Sequence, residues 1–171
     1  VSLEVNSSFQ KRLGLGNMKE EYVNDILNLC NIPSELNNEK NVMDIDLFLT
    51  KDNLYLDVKY LESYCKDAKF KCNIKEENCL IISNSHLKRY EHKREKTGID
   101  TWVCFIVNYE KYDIYELRFI KTQDIINLWK NEKAVKRPIM SRGKRKMIYN
   151  LNRKDCLNMN DFMEYIFNKR D

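Results

Sequence analysis

VMDIDLFLTKDNLYLDVKY, residues 42–60, carries two runs with apolar residues at alternate places, IDLFL and LYLDVKY, on either side of the turn residues KDN. That is the pattern of a β-hairpin. A hairpin built only for packing would fill its alternate places with apolar or uncharged residues, yet this one holds Asp44, Asp46, Asp57 and Lys59. With Asp52 and Asn53 as a two-residue turn, Lys51 faces Leu54, Leu49 faces Leu56, Phe48 faces Asp57 and Asp46 faces Lys59. Asp46, Asp57 and Lys59 then share a face. Opposed Cβ atoms stand about 4.5–5.5 Å apart and diagonal ones about 7–8 Å. Two carboxylates so placed can lean toward one cation held at about 2.1 Å from each oxygen.

Upstream of the hairpin, GNMKEEYVNDILNLCNI has apolar residues at Met18, Val23, Ile26, Leu27 and Cys30, a helical stripe with Asn17 as its cap and Pro33 beyond its end. Glu20 falls on that inward stripe, whereas Glu21 points to the side. An acid on a buried stripe requires a partner or a metal. Residues 34–43 leave room for a further strand. Downstream, 61–80 shows no clean period and reads as a connection of partly helical character. A helix follows over 84–97, ended by Gly98. Strands are expected at 101–109 and 113–120, the first nearly all apolar and so central in a sheet. A short helix over 122–131 capped at Thr122, a strand over 146–151 and a last helix capped at Asn152 complete the reading.

The 171 residues suit one domain able to bury its own core. An apolar share of 43% beside 33% charged residues is a globular composition, not a disordered one. No run approaches the roughly 18 apolar residues of a membrane span, and the first residues lack the apolar segment of a secretion signal. A soluble, intracellular protein with no membrane partner is expected. Of the 6 cysteines, Cys65, Cys72 and Cys79 precede His86 at intervals of seven. Structural zinc sites pair ligands two to four apart, so reduced, structural thiols are expected instead.

The net charge of +4 is unevenly spread. Lys133, Lys136, Arg137, Arg142, Lys144, Arg145, Lys146, Arg153 and Lys154 follow one another with no acid before Asp155. Such a block suits a phosphate-bearing partner, although a solvated loop would look the same.

With a first strand in 34–43, the order is αβββαβ, an α/β fold with a mixed sheet flanked by helices. This resembles the PD-(D/E)xK nuclease superfamily, the restriction-endonuclease-like fold that includes archaeal Holliday junction resolvases. The residues that carry the resemblance are Glu20 in MKEEYVNDIL, Asp46 in DIDLFL, and Asp57-Val58-Lys59 closing the second hairpin strand. It covers about 16–120, leaving 121–171 as a basic C-terminal extension of the same domain. Two departures stand out: Ile45 occupies the place of the family's proline, and Asp57 stands where glutamate is commoner. Asp44, on the same face by alternation, competes with Asp46, which is preferred because the apolar strand starts directly after it and because it faces Lys59.

The resemblance implies a metal-dependent endonuclease. Asp46, Asp57 and the Val58 carbonyl would hold Mg²⁺ or Mn²⁺, for which hard oxygen ligands are suited. Glu20 would complete the site through a water or a second metal. Lys59 would orient the attacking water or neutralise charge growing on the phosphate. Without an ion the carboxylates repel, and one holds a proton more tightly. His86, Lys88 and Arg89 on the 84–97 helix, with Lys144, Arg145 and Lys146, are the expected nucleic-acid contacts, whereas Tyr90 and Trp102 read as core. DNA is the favoured partner, branched DNA included. A non-catalytic binding subunit and an RNA endonuclease are the alternatives. Oligomeric state is not readable, although cutting two strands by twofold symmetry keeps a homodimer open.

Overall fold

A computed structural model describes residues 18–37, 45–62 and 65–171. Along the chain come α1 (Met18–Leu29), β1 (Ser34–Leu36), β2 (Leu47–Leu49), β3 (Leu54–Leu61), α2 (Ala68–Cys72), β4 (Cys79–Ser83), α3 (Asn84–Thr97), β5 (Thr101–Tyr109), β6 (Ile114–Lys121), α4 (Thr122–Lys130), β7 (Val135–Ser141), β8 (Lys144–Asn152) and α5 (Met159–Arg170). A five-stranded sheet has the order β1-β2-β3-β5-β6, parallel between β3 and β5 and antiparallel elsewhere. The αβββαβ order is present, with α2 and β4 inserted between β3 and α3. A second sheet, β4-β8-β7, is antiparallel throughout. Among the described residues no helix is long and apolar enough to cross a membrane.

The large sheet is covered on both faces, which is why β5 is apolar almost throughout. Its Trp102, Cys104 and Ile106 enter one core with Val23 and Leu27 of α1, Leu56 and Val58 of β3, and Phe162 of α5. The alternate residues Val103, Phe105 and Val107 enter the other, with Leu87 and Tyr90 of α3, Ile125 of α4 and Tyr149 and Leu151 of β8. Each fully buried side chain of this size contributes roughly 1.5–3 kcal/mol. Phe119 and Phe162 stack face to face at 4.0 Å, seating α5 on the first face. Since strand side chains alternate, Asp57 and Lys59 lie on the α3 face, while Leu56 and Val58 point toward α1.

The hairpin differs from its expected register. Leu49 pairs with Leu54, Phe48 with Tyr55 and Leu47 with Leu56, across a four-residue loop, Thr50–Asn53. A two-residue turn of the favoured type needs positive φ at both central residues. Only Asn53 adopts it, at 53°, while Asp52 is drawn into an ion pair with Arg170 of α5. The shift is by two residues, so each side chain keeps its face. Asp46 therefore comes opposite Asp57 rather than Lys59.

Other boundaries also differ from expectation. The stretch 61–80, read as a connection of partly helical character, holds the short helix α2 and leads into β4, whose apolar run CLIIS pairs with Ile148–Asn152, the second half of β8. Thr122 does not cap α4. Its buried hydroxyl bonds Thr101 Oγ1 at 2.7 Å and Glu91 Oε1 at 2.6 Å. Asn152 caps only the single turn Arg153–Asp155, and Asn158 caps α5 through the N–H of Asp161. The expected cap Asn17 and the competing acid Asp44 lie outside the described residues. Cys65, Cys72 and Cys79 gather around Arg137 and Asn150. Arg137 Nη2 lies 2.8 Å from Cys65 Sγ, and Asn150 accepts from the Cys72 thiol at 3.1 Å and donates to Cys79 Sγ at 3.3 Å.

Candidate active site

β2 begins one residue after Asp46, and its pairing with β3 stops at Leu47 and Leu56. Beyond that point Asp46 takes over the strand's role with its side chain. The Val58 N–H donates to Asp46 Oδ2 at 2.8 Å, and the Asp46 N–H donates to Asp57 Oδ1 at 3.3 Å. In an extended strand a residue's N–H and C=O face the same edge, so the Val58 carbonyl also points to the Asp46 side. Two carboxylates and one carbonyl thus meet at the open end of the β2–β3 pair.

Asp57 is only 3% exposed and is held from three directions. Its Oδ2 receives the Tyr90 hydroxyl from α3 and lies 3.1 Å from Lys59 Nζ. Burial acts to raise the Asp57 pKa, but Lys59 and the hydrogen bonds from Asp46, Tyr90 and Lys59 outweigh it, and the carboxyl sits below its ordinary value. Asp46 goes the other way. Burial first, then the neighbouring Asp57 charge, push it up to about 8, so one proton is held between the two groups. This is the repulsion expected of the pair without an ion.

Glu20 arrives from the other layer. α1 packs on the opposite face of the sheet, and Glu20 lies near enough for its charge to act on Asp46, while Lys19 Nζ stands 3.8 Å from its carboxylate. Among the described residues no three His, Cys, Asp or Glu side chains converge closely enough to enclose an ion. The donor set at the site is accordingly Asp46, Asp57 and the Val58 edge, all oxygen, with Glu20 one layer away. That chemistry fits Mg²⁺ or Mn²⁺ completed by waters, and not zinc.

No protein-family model and no curated protein matches the sequence. Solved structures do match by shape. Archaeoglobus fulgidus Hjc, a Holliday junction resolvase from an archaeal hyperthermophile, superimposes with a TM-score of 0.53 at 10% identity, covering 87% of this chain and 95% of its own. A nuclease from a fusselovirus does so with a TM-score of 0.52 at 14% identity, covering 96% and 95%. The chain shares the fold of these two nucleases. Asp46 directly precedes β2 and Asp57 and Lys59 lie on β3, so the structure brings the three expected side chains together at one end of the β2–β3 pair.

The first turns of α3 border this centre. His86 stacks on Tyr90, four residues on, with ring centroids 6.3 Å apart. Burial, Lys59 and Arg89, with a further contribution from Lys146, lower the His86 pKa to about 4. It is therefore an uncharged hydrogen-bonding group at neutral pH, not a cation. The Arg89 guanidinium lies 5.8 Å from the Tyr90 ring centre, and Lys88 is exposed. Lys144, Arg145 and Lys146 are exposed on β8. The residue that sequence reasoning passed over is Tyr90, which is both core and the donor to Asp57. Its signal was the i, i+4 spacing from His86, which sets the two on one helix face.

Proposed function

We propose that the protein is a Mg²⁺- or Mn²⁺-dependent endonuclease that hydrolyses phosphodiester bonds in DNA. The observation that carries this is the meeting of Asp46, Asp57 and Lys59 at one strand end, within a fold shared with two nucleases. A bound cation would polarise the scissile phosphate and lower the pKa of a water beside it. Asp46 and Asp57 with the Val58 carbonyl would hold the cation, which replaces the proton now kept on Asp46, and Glu20 would reach it through a water. Lys59, fixed by Asp57, would orient the attacking water and offset charge growing on the phosphate. His86, Lys88, Arg89 and the basic residues of β8 would hold the backbone and give affinity rather than sequence choice.

The named activity of the archaeal neighbour makes branched DNA the first substrate to try. The test incubates the protein with circular single- and double-stranded DNA and with a four-way junction, in Mg²⁺, Mn²⁺ or EDTA, beside Lys59→Ala. Cleavage that needs both the metal and Lys59, falling about 10²-fold or more in the variant, is expected. Binding without cleavage in every metal would instead make the chain a nucleic-acid-binding subunit.

A further inference from the structure

The basic block does not act as one surface. Arg137 and Arg153 are engaged in the fold: Arg137 bonds Asp67 at 3.0 Å and Asn150 at 2.6 Å, and Arg153 bonds Glu116 and Asn78. Lys136 lies over the rings of Trp129 and Tyr149. Arg142, Lys144, Arg145 and Lys146 are different. All four are exposed, and their side chains form no ion pair or hydrogen bond among the described residues. They share one structural unit.

That unit is a two-stranded arm. β4 ends at Ser83, opposite Ile148, where the chain turns into α3. β7 and β8 run on without a third strand, pairing Pro138 with Met147, Ile139 with Lys146, Met140 with Arg145 and Ser141 with Lys144. Arg142 and Gly143 close the arm with φ of 50° and 74°. At 3.2–3.4 Å per residue it extends roughly 15 Å past the sheet. An unsupported pair of strands is marginal by itself, and four like charges on one add repulsion. A polyanion laid along it would offset that repulsion. The base of the arm adjoins the candidate active site: Ser83, opposite Ile148, accepts the His86 N–H on its Oγ at 3.2 Å, and His86 stacks on Tyr90, which donates to Asp57.

We propose that residues 138–147 form an arm that grips duplex DNA beside the cleaved phosphate. A major groove about 12 Å wide admits a two-stranded ribbon. With a rise of about 3.4 Å per base pair, an arm of this length reaches about four to five base pairs to one side of the bond cut. Arg142, Lys144, Arg145 and Lys146 contact phosphates along that reach. The location relative to the scissile phosphate rests on the nuclease reading; the preference for duplex does not.

The test uses the full chain carrying Lys59→Ala, in EDTA, so that no cleavage intervenes. Fluorescence anisotropy follows binding to a labelled 20-bp duplex and to a 20-nucleotide single strand, from 50 to 200 mM salt. The arm is altered in two ways: Arg142, Lys144, Arg145 and Lys146 all to Gln, and, separately, residues 140–145 replaced by Asn-Gly. The Gln variant changes only exposed side chains, so it serves even where the shortened one misfolds. Loss of about 10²–10³-fold in duplex affinity, a salt slope lower by about 3, and a smaller loss on single strand are expected. An unchanged duplex affinity, or equal losses on both substrates, would overturn the arm. In a protein with Lys59 restored, absence of cleavage in Mg²⁺ and Mn²⁺ would remove the nuclease reading while leaving the arm to stand on the binding data.

Discussion

The Tyr90 hydroxyl donates to Oδ2 of Asp57, the same oxygen that Lys59 reaches at 3.1 Å. A carboxylate on a strand is thus oriented by a helix. The helix itself is pinned, because the Tyr90 carbonyl accepts from Thr101 Oγ1, which also meets Thr122 Oγ1 in the buried pair. Tyr90→Phe keeps the ring and deletes one hydrogen bond to a charged group, worth about 1.5–3 kcal/mol. Single-turnover cleavage with Mn²⁺ is expected to fall about 10-fold or more, while the thermal midpoint falls by about 3–12 °C. Wild-type rates in Tyr90→Phe would reduce Tyr90 to packing alone.

Asp46→Asn is expected to separate stability from activity. The folded protein holds the Asp46 proton up to about pH 8, whereas the unfolded chain loses it near the ordinary value of 3.8. The folded state binds more protons across that window, so this group's contribution is full at low pH and is lost as pH rises toward 8. Asp57, with its depressed pKa, works in the opposite direction, its contribution being lost as pH falls. Asparagine cannot ionise. In EDTA at pH 8.5 the variant should therefore melt a few degrees above wild type, about 1 kcal/mol being worth roughly 2–4 °C in a chain of this size. Cleavage should fall by about 10²-fold or more. A lower melting point at pH 8.5 would show that the Asp46 carboxylate is not under strain there.

How much of this could be read from sequence depends on the range of the interaction. Facing along β2 and β3 follows from alternation, which survives an error of two residues in the turn; hence Asp46, Asp57 and Lys59 were legible although their partners shifted. The helix 84–97 was legible because Ser83 and Gly98 mark its ends with local chemistry. β4 was not, since a five-residue apolar run becomes a strand only where β8 lies beside it, some 65 residues later. Thr122 looked like a cap because the threonine and glutamate that bind its hydroxyl come from β5 and α3. Tyr90 was passed over for a similar reason: a buried aromatic with one polar atom reads as core until the acceptor is located.

His86 gives a pH dependence of the other sign. Its pKa is lowered to about 4, by burial and then by Lys59 and Arg89, against 6.5 in the unfolded chain. Between those values the unfolded state binds the extra proton, so stability declines as pH drops from about 6.5 toward 4. His86 is only partly buried, and solvent screening holds the effect to about 1 kcal/mol or less. Chemical-denaturation midpoints at pH 7 and pH 4.5 should draw closer together in His86→Gln than in wild type. Equal spacing in the two proteins would mean that His86 titrates normally.

Arg170 closes the molecule at a point far from the chemistry. Its guanidinium meets both oxygens of Asp52, at 2.8 and 2.7 Å, and a third bond of 3.1 Å reaches the Asn31 carbonyl. The Asp52 side chain is only 7% exposed, so the pair is largely withdrawn from water, and removing one partner leaves the other charge with poor solvation. The contact joins the end of α5 to the β2–β3 loop and to the turn after α1, two segments that the Thr50 N–H already links through the Pro33 carbonyl at 3.0 Å. Arg170→Ala should therefore cost about 1–3 kcal/mol, more than an ordinary surface pair. Asp52→Asn should cost less, because an amide oxygen still accepts from the guanidinium. The loop it holds sets the register that brings Asp46 opposite Asp57, so cleavage by Arg170→Ala should fall only as far as the loop loosens. Melting curves with parallel cleavage rates check this: a stable Arg170→Ala protein would show that apolar packing of α5 alone holds the loop in place.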